Sequence, residues 1–150
     1  MRQALKVIGI TLGILYLLFA VFVIWSRISI EEAQKKAIPF VTESMPLIGN
    51  WNFDEFAFLL TPGALDTFRS ERGQKITAYM SKIGELKAFN EPEVLNVSSS
   101  TEDIDTVTLK VDAEFENGLG TVMIVLIETE SGYLIHRIHL NTDFFLLPTD

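Results

Sequence analysis

Residues 7–25 read VIGITLGILYLLFAVFVIW, a run without a single charged side chain. At about 1.5 Å per residue, a helix of that length is roughly 28 Å long and close to a hydrocarbon core of about 30 Å. The run therefore predicts an N-terminal transmembrane helix, with the rest of the chain folding as a separate body. A cleaved signal peptide has a shorter apolar region of about 7–15 residues and then a small-x-small site. Here the run ends in Trp25-Ser26-Arg27-Ile28, which predicts that the segment is kept. Arg2 and Lys6 precede it without an acid, whereas Arg27, Lys35 and Lys36 beyond it are mixed with Glu31 and Glu32. The nearness of the first bases to the span places the N-terminus inside and the domain outside. The expectation is a single-pass protein of the cytoplasmic (inner) membrane, periplasmic on its far side if the source is bacterial. It divides into a flank and anchor over 1–27 and a folded domain over 28–150. Gly9 and Gly13 form a G-x-x-x-G pair that would let two such helices approach closely; the alternative is that both face lipid.

With 150 residues, the chain has room for one domain besides that segment. Of 12 Lys and Arg, two precede the run, so the remaining ten face all 20 Asp and Glu. Such a field repels a phosphate backbone, so no nucleic-acid partner is expected. With no Cys, a disulfide framework, a Cys-based zinc site, a thiol nucleophile and a lipidated Cys are all excluded. Stability must come from a packed core.

Ser29 and Glu32 form a capping box, and Ala33, Ala37, Val41, Met45 and Ile48 follow at helical spacing. Pro39 inside that helix is expected to kink or split it. Asn52 with Glu55 opens a second short helical segment, and Thr61-Pro62 starts another with proline at its first position. The last helix is expected from near Ser70 to Gly84, burying Ile76, Met80 and Ile83. The period then changes to two: Val107, Leu109, Val111, Ala113 and Phe115 alternate with Thr108, Lys110, Asp112 and Glu114, the pattern of a half-buried strand. Asn117-Gly118 predicts a hairpin turn, because both residues tolerate positive φ. The returning strand, 119–129, is apolar on both faces and is expected at mid-sheet, covered on both sides. Ser131-Gly132 turns the chain into a last strand, an earlier strand pair occupies 86–98, and Ser98-Ser99-Ser100-Thr101 is a polar loop. The fold class is thus α+β: about three helices packed on one face of a curved antiparallel sheet.

The order of these elements and several local strings resemble the nuclear transport factor 2-like, or cystatin-like, α+β roll, over about residues 30–140. The strings are Gly49-Asn50-Trp51-Asn52 followed by 53–60 and Thr61-Pro62, then Ser81-Lys82-Ile83-Gly84-Glu85-Leu86, Ala113-Glu114-Phe115-Glu116-Asn117-Gly118, and Ser131-Gly132-Tyr133-Leu134-Ile135. The resemblance implies helices filling the concave side of a cone-shaped roll. Similar single-pass bacterial envelope proteins include anchored domains of unknown function and assembly factors of type IV secretion machines. None of the strings is a catalytic signature, so the likeness speaks to fold.

Enzymes of that family, such as ketosteroid isomerase-like proteins, hold an acid–base carboxylate or His and a Tyr donor in the cone. The ligand-pocket candidates here are His136, Tyr133 and Glu128, and Arg137 and His139 are the partner-surface candidates. Their direction depends on the last turn. A two-residue Ser131-Gly132 loop puts Arg137 and His139 on the face of Leu126 and Ile124. A three-residue loop with Gly132 left-handed puts Leu134, His136, Ile138 and Leu140 there instead, which hydrophobic continuity favours. His136 then looks inward, as a hydrogen-bonded core residue or as a catalytic base, and Tyr133 lies on the opposite face.

Two histidines without a carboxylate at ligand spacing predict no metal site, and Glu102, Asp103 and Asp105 lack the glycine and terminal Glu of a calcium loop. No G-x-S-x-G, P-loop or H-E-x-x-H string occurs. No catalytic residue and no cofactor is expected. The favoured reading is a membrane-anchored, non-catalytic module that binds a protein partner or itself. The alternative is a small apolar-ligand pocket, enzymatic or not, inside the cone. An open cavity lined by His136 or Arg137 would favour the alternative, and a filled interior the first. The run Phe144-Phe145-Leu146-Leu147 is expected to end the core or to dock elsewhere.

Overall fold

The computed structural model describes the backbone of residues 2–98 and 105–146 and, within them, the side chains of all but 2–10, 25–30 and 33. Helices α1 (Arg2–Gly49), α2 (Phe53–Phe56), α3 (Pro62–Arg69) and α4 (Glu71–Met80) are followed by strands β1 (Leu86–Phe89), β2 (Glu93–Ser98), β3 (Thr106–Phe115), β4 (Gly118–Thr129) and β5 (Gly132–Asn141). The protein is α+β with an antiparallel sheet. It divides into two compact units, Met1–Glu32 and Ala33–Asp150.

In the first unit, α1 exposes Leu12, Ile14, Leu15, Tyr16, Leu17, Leu18, Phe19, Val21, Phe22 and Ile24, each by more than half. Among the described residues no helix is long and apolar enough to cross a membrane, which corrects the expected transmembrane helix. The apolar stretch with described side chains is 11–24. Residues 7–10 and Trp25 lie outside the described side chains. So does Gly9, while a Cβ on Gly13 would meet nothing within 4 Å. The helix does not begin at Ser29 but runs through it, and it is not split at Pro39.

In the second unit, Ala37, Val41, Met45 and Ile48 are buried on one face of α1; Ala33, expected with them, lies outside the described side chains. The alternation in β3 produces the opposing layer: Val107, Leu109, Val111, Ala113 and Phe115 are buried with Val122, Ile124 and Leu126 of β4. The strand order is β1-β3-β4-β5, with β2 also on β3. Thus β1 and β2 do not pair with each other. β1 takes the Phe115 end of β3 and β2 the Thr106 end, and Pro92, which has no N–H to give a ladder, lies between them.

The outer face of β4 is not covered as expected: Met123, Val125 and Ile127 stay half-exposed. The β3–β4 turn is Glu116-Asn117, one residue earlier than expected, with Phe115 opposite Gly118 and no positive φ. Contacts to the α4–β1 connection hold it there. Glu116 N–H donates to Glu85 O at 3.0 Å, Asn117 N–H to Ile83 O at 2.9 Å and Asn117 Nδ2 to Lys82 O at 3.1 Å. The loop expected at 98–101 lies outside the described residues from Ser99 onward, as do Glu102, Asp103 and Leu147. Phe145 stacks on Tyr79 at 4.5 Å, and Leu146 is exposed.

Candidate functional site

Caps and close packing set the wall made by α3 and α4. Thr61 caps α3 by accepting from Ala64 N–H at 3.3 Å, with Pro62 as the first helical residue, as the sequence predicts. Ser70 ends α3 and starts α4: its backbone N–H donates to Asp66 O and Thr67 O, and its Oγ accepts from Gly73 N–H at 3.0 Å. Gly73 is buried, and a Cβ there would lie 2.8 Å from Phe68 O, so the two helices meet at this glycine. That contact turns α4 away from the expected orientation. Ile83 is buried, but Ile76 is 47% exposed and Met80 half-buried.

The facing wall is β5, an edge strand. Leu126 lies opposite Ile135, but Val125 lies opposite Arg137, so His136 is the extra residue of a β-bulge. The turn is Glu130-Ser131, with Thr129 opposite Gly132 (φ 122°). Neither predicted register holds throughout. Tyr133 and Ile135 face the core before the bulge, and Ile138 and Leu140 after it. The bulge therefore removes His136 from the core, and its side chain is exposed. Beside it, Leu60 bridges Ile135 in parallel, Thr61 N–H donates to Ile135 O at 2.9 Å, and Thr61 Oγ1 lies 3.4 Å from His136 Nδ1.

Between these walls is a cavity of about 460 Å3. Ile48, Trp51 and Phe56 line it with Gly63, Ala64, Thr67 and Phe68 of α3, Gly73, Ile76, Thr77 and Met80 of α4, and His136, Arg137 and Ile138 of β5. Its hydroxyls are committed to their own helices: Thr67 Oγ1 donates to Gly63 O at 2.8 Å and Thr77 Oγ1 to Gly73 O at 3.0 Å. Among the described residues no Asp or Glu lines it, and Arg137 makes no ion pair with any of them. The site is an apolar chamber with His136 and Arg137, both exposed, at one wall.

Of the five residues singled out in the sequence, the structure brings His136 and Arg137 to this cavity. Tyr133 and Glu128 face each other near the other end of the β4–β5 hairpin, Tyr133 at 6.2 Å from Phe40 and Glu128 at 3.8 Å from Lys36. His139 is exposed opposite Met123 and does not line the cavity. The α3–α4 lining was missed. Its signal is small residues at helical spacing, Gly63, Ala64 and Thr67 and then Gly73 and Thr77, which leave room rather than fill it.

A second hollow of about 520 Å3 lies over Asn90, Asp112, Glu114 and Asn141. Its chemistry is satisfied internally: Thr121 Oγ1 donates to Asp112 at 2.7 Å and Lys110 sits 3.4 Å away, and together they hold the Asp112 carboxyl below its ordinary range. Among the described residues no group of three His, Cys, Asp or Glu could hold a metal ion. No protein family matches the chain, and neither curated proteins nor solved structures show a significant similarity to it.

Proposed function

We propose that the unit Ala33–Asp150 binds a small, largely apolar molecule in the cavity between α3, α4 and β5. The observation that carries this reading is an apolar chamber of about 460 Å3 in which His136 and Arg137 are the charged or ionisable groups. A volume of that order suits a small ligand, and a protein–protein contact has no need of it. The order of helices and sheet supports reading the fold as a nuclear transport factor 2-like roll. Binding rather than turnover is proposed, because proton transfer through a substrate needs a second positioned group and the lining supplies no carboxylate.

Trp51 lines the cavity and reports on it. In the full chain carrying Trp25→Phe, saturable change of Trp51 emission on adding 1-octanol is expected. Gly63→Leu should abolish it, since Gly63 lines the chamber and a Cβ there meets nothing within 4 Å. Unsaturable response, or response indifferent to Gly63→Leu, counts against the pocket.

A second reading concerns the other unit. Large apolar side chains lie exposed at consecutive positions 14–19, hence on every side of α1, and lipid can cover a helix that is apolar all round. We propose that this segment associates with lipid. Flotation of the full chain with vesicles is expected, and a chain carrying Leu15→Glu, Leu18→Glu and Phe22→Glu should stay below them; equal flotation of the two would remove the reading.

A further inference from the structure

We propose that the cavity selects an amphipathic carboxylate, its hydrocarbon among the side chains of α3 and α4 and its head on Arg137 beside His136. The inference rests on the reading of this cavity as a small-molecule site. Three observations carry it. Arg137, exposed at the cavity wall, makes no ion pair with a described residue and so is free to meet an anion. Secondly, the bulge puts His136 and Arg137 next to each other in β5 and both in the cavity wall, where a regular strand would send neighbours to opposite faces. Thirdly, the hydroxyls of Thr67 and Thr77 already donate within their own helices, so a carboxylate head must take its donors from Arg137 and His136, and the guanidinium offers a planar fork that a carboxylate fits in bidentate fashion.

The chemistry that follows is recognition without a covalent step. The carboxylate replaces the water around Arg137, and its tail displaces water from apolar wall. His136 adds a donor at the same head, with Thr61 Oγ1 holding the ring from behind at 3.4 Å. A cationic amphiphile of equal length meets the same walls but a repelling end.

The test titrates octanoate, 1-octanol and octylamine into the full chain carrying Trp25→Phe, read by Trp51 emission, with and without Arg137→Gln. Octanoate is expected to bind at least tenfold more tightly than 1-octanol, and octylamine most weakly. Arg137→Gln should erase the preference for octanoate while changing the affinity for 1-octanol less than twofold. Arg137→Lys, which keeps the charge but not the fork, should retain part of the preference and serves if the glutamine variant does not fold. Equal affinities for the three probes, or a preference that survives Arg137→Gln, would overturn the carboxylate inference and leave the cavity reading standing. Absence of saturable binding by all three would overturn both.

Discussion

Trp51 donates its indole N–H to the carbonyl oxygen of Gly84 across 2.8 Å, joining two positions 33 residues apart at which backbone φ is positive. Trp51 has φ 57°, an uncommon conformation for a bulky residue. The side chain compensates: besides the hydrogen bond it packs its ring on Phe115 at 5.8 Å. The tie fastens the end of α1 to the chain entering β1, and it holds one side of the cavity that Trp51 lines.

Trp51→Phe keeps an aromatic ring but leaves Gly84 O without that donor and keeps the backbone strain. Destabilisation of about 1–3 kcal/mol is expected, the usual cost of losing one partner of a sheltered hydrogen bond. Urea unfolding monitored by circular dichroism measures it. An unchanged midpoint would mean that the indole N–H contributes nothing.

Gly84 itself has φ 88° and ψ −177°, a region open essentially to glycine, and a Cβ there would come within 2.6 Å of Glu116 Cβ. Gly84→Ala should therefore cost on the order of 1–3 kcal/mol. Gly63→Ala is the control with the opposite sign. It lies inside α3 with open space around it, and replacing it should stabilise by about 0.4–1 kcal/mol. Thermal unfolding of the pair reads both signs in one experiment.

Much of the fold was legible because local chemistry and tertiary packing agree there. Val107 to Phe115 alternate and are half-buried as written, Thr61-Pro62 and Ser70 cap the helices they precede, and Gly84 stops the chain at positive φ. Where they compete, the sequence misled. Asn117-Gly118 carries the composition of a left-handed turn, but hydrogen bonds to the carbonyls of Lys82, Ile83 and Glu85 draw the turn to Glu116-Asn117. Both candidate registers of β5 assumed an unbroken period of two, whereas Ile135 and Ile138, three apart, are both on the core side. The positions of His136 and Arg137 hinge on that one bulge, so the site was the least legible part. The room beside them comes from small residues of α3 and α4, whose meeting at Gly73 leaves no mark in periodicity.

Glu116 accepts from Lys87 Nζ at 3.0 Å and from Glu85 N–H at 3.2 Å, and these partners hold its carboxyl below the ordinary range. A depressed carboxyl adds stability above its unfolded-state pKa, and that stability is lost as pH falls through the lower folded value. Asp112, lowered by Thr121 and Lys110, acts in the same window. Glu116→Gln should therefore reduce the acid-side decline in urea midpoint, and its difference from the parent should be larger at neutral pH than at the acidic end. A difference constant across the series would show that the ionised form of Glu116 is irrelevant to folding.

Deleting His136 should be tolerated, although it lies within the β4–β5 ladder. With His136 removed, Ile135 remains opposite Leu126 and Arg137 opposite Val125, now as consecutive pairs, and Ile138 and Leu140 keep their places opposite Ile124 and Val122. The bridge from Leu60 and the bond from Thr61 N–H both use Ile135 and are untouched. Deleting His139 instead shifts Leu140, buried opposite Val122, by one position and sends it to the solvent side. Exposing a leucine of this kind costs about 1.5–3 kcal/mol. The chain lacking His136 is thus expected to unfold cooperatively close to the parent, and the chain lacking His139 well below it. Straightening β5 also re-aims Arg137 from the bulged geometry of the cavity wall, so the shorter chain should fold yet lose any preference for octanoate over 1-octanol. Cooperative folding with that preference intact would show that the bulge does not position Arg137.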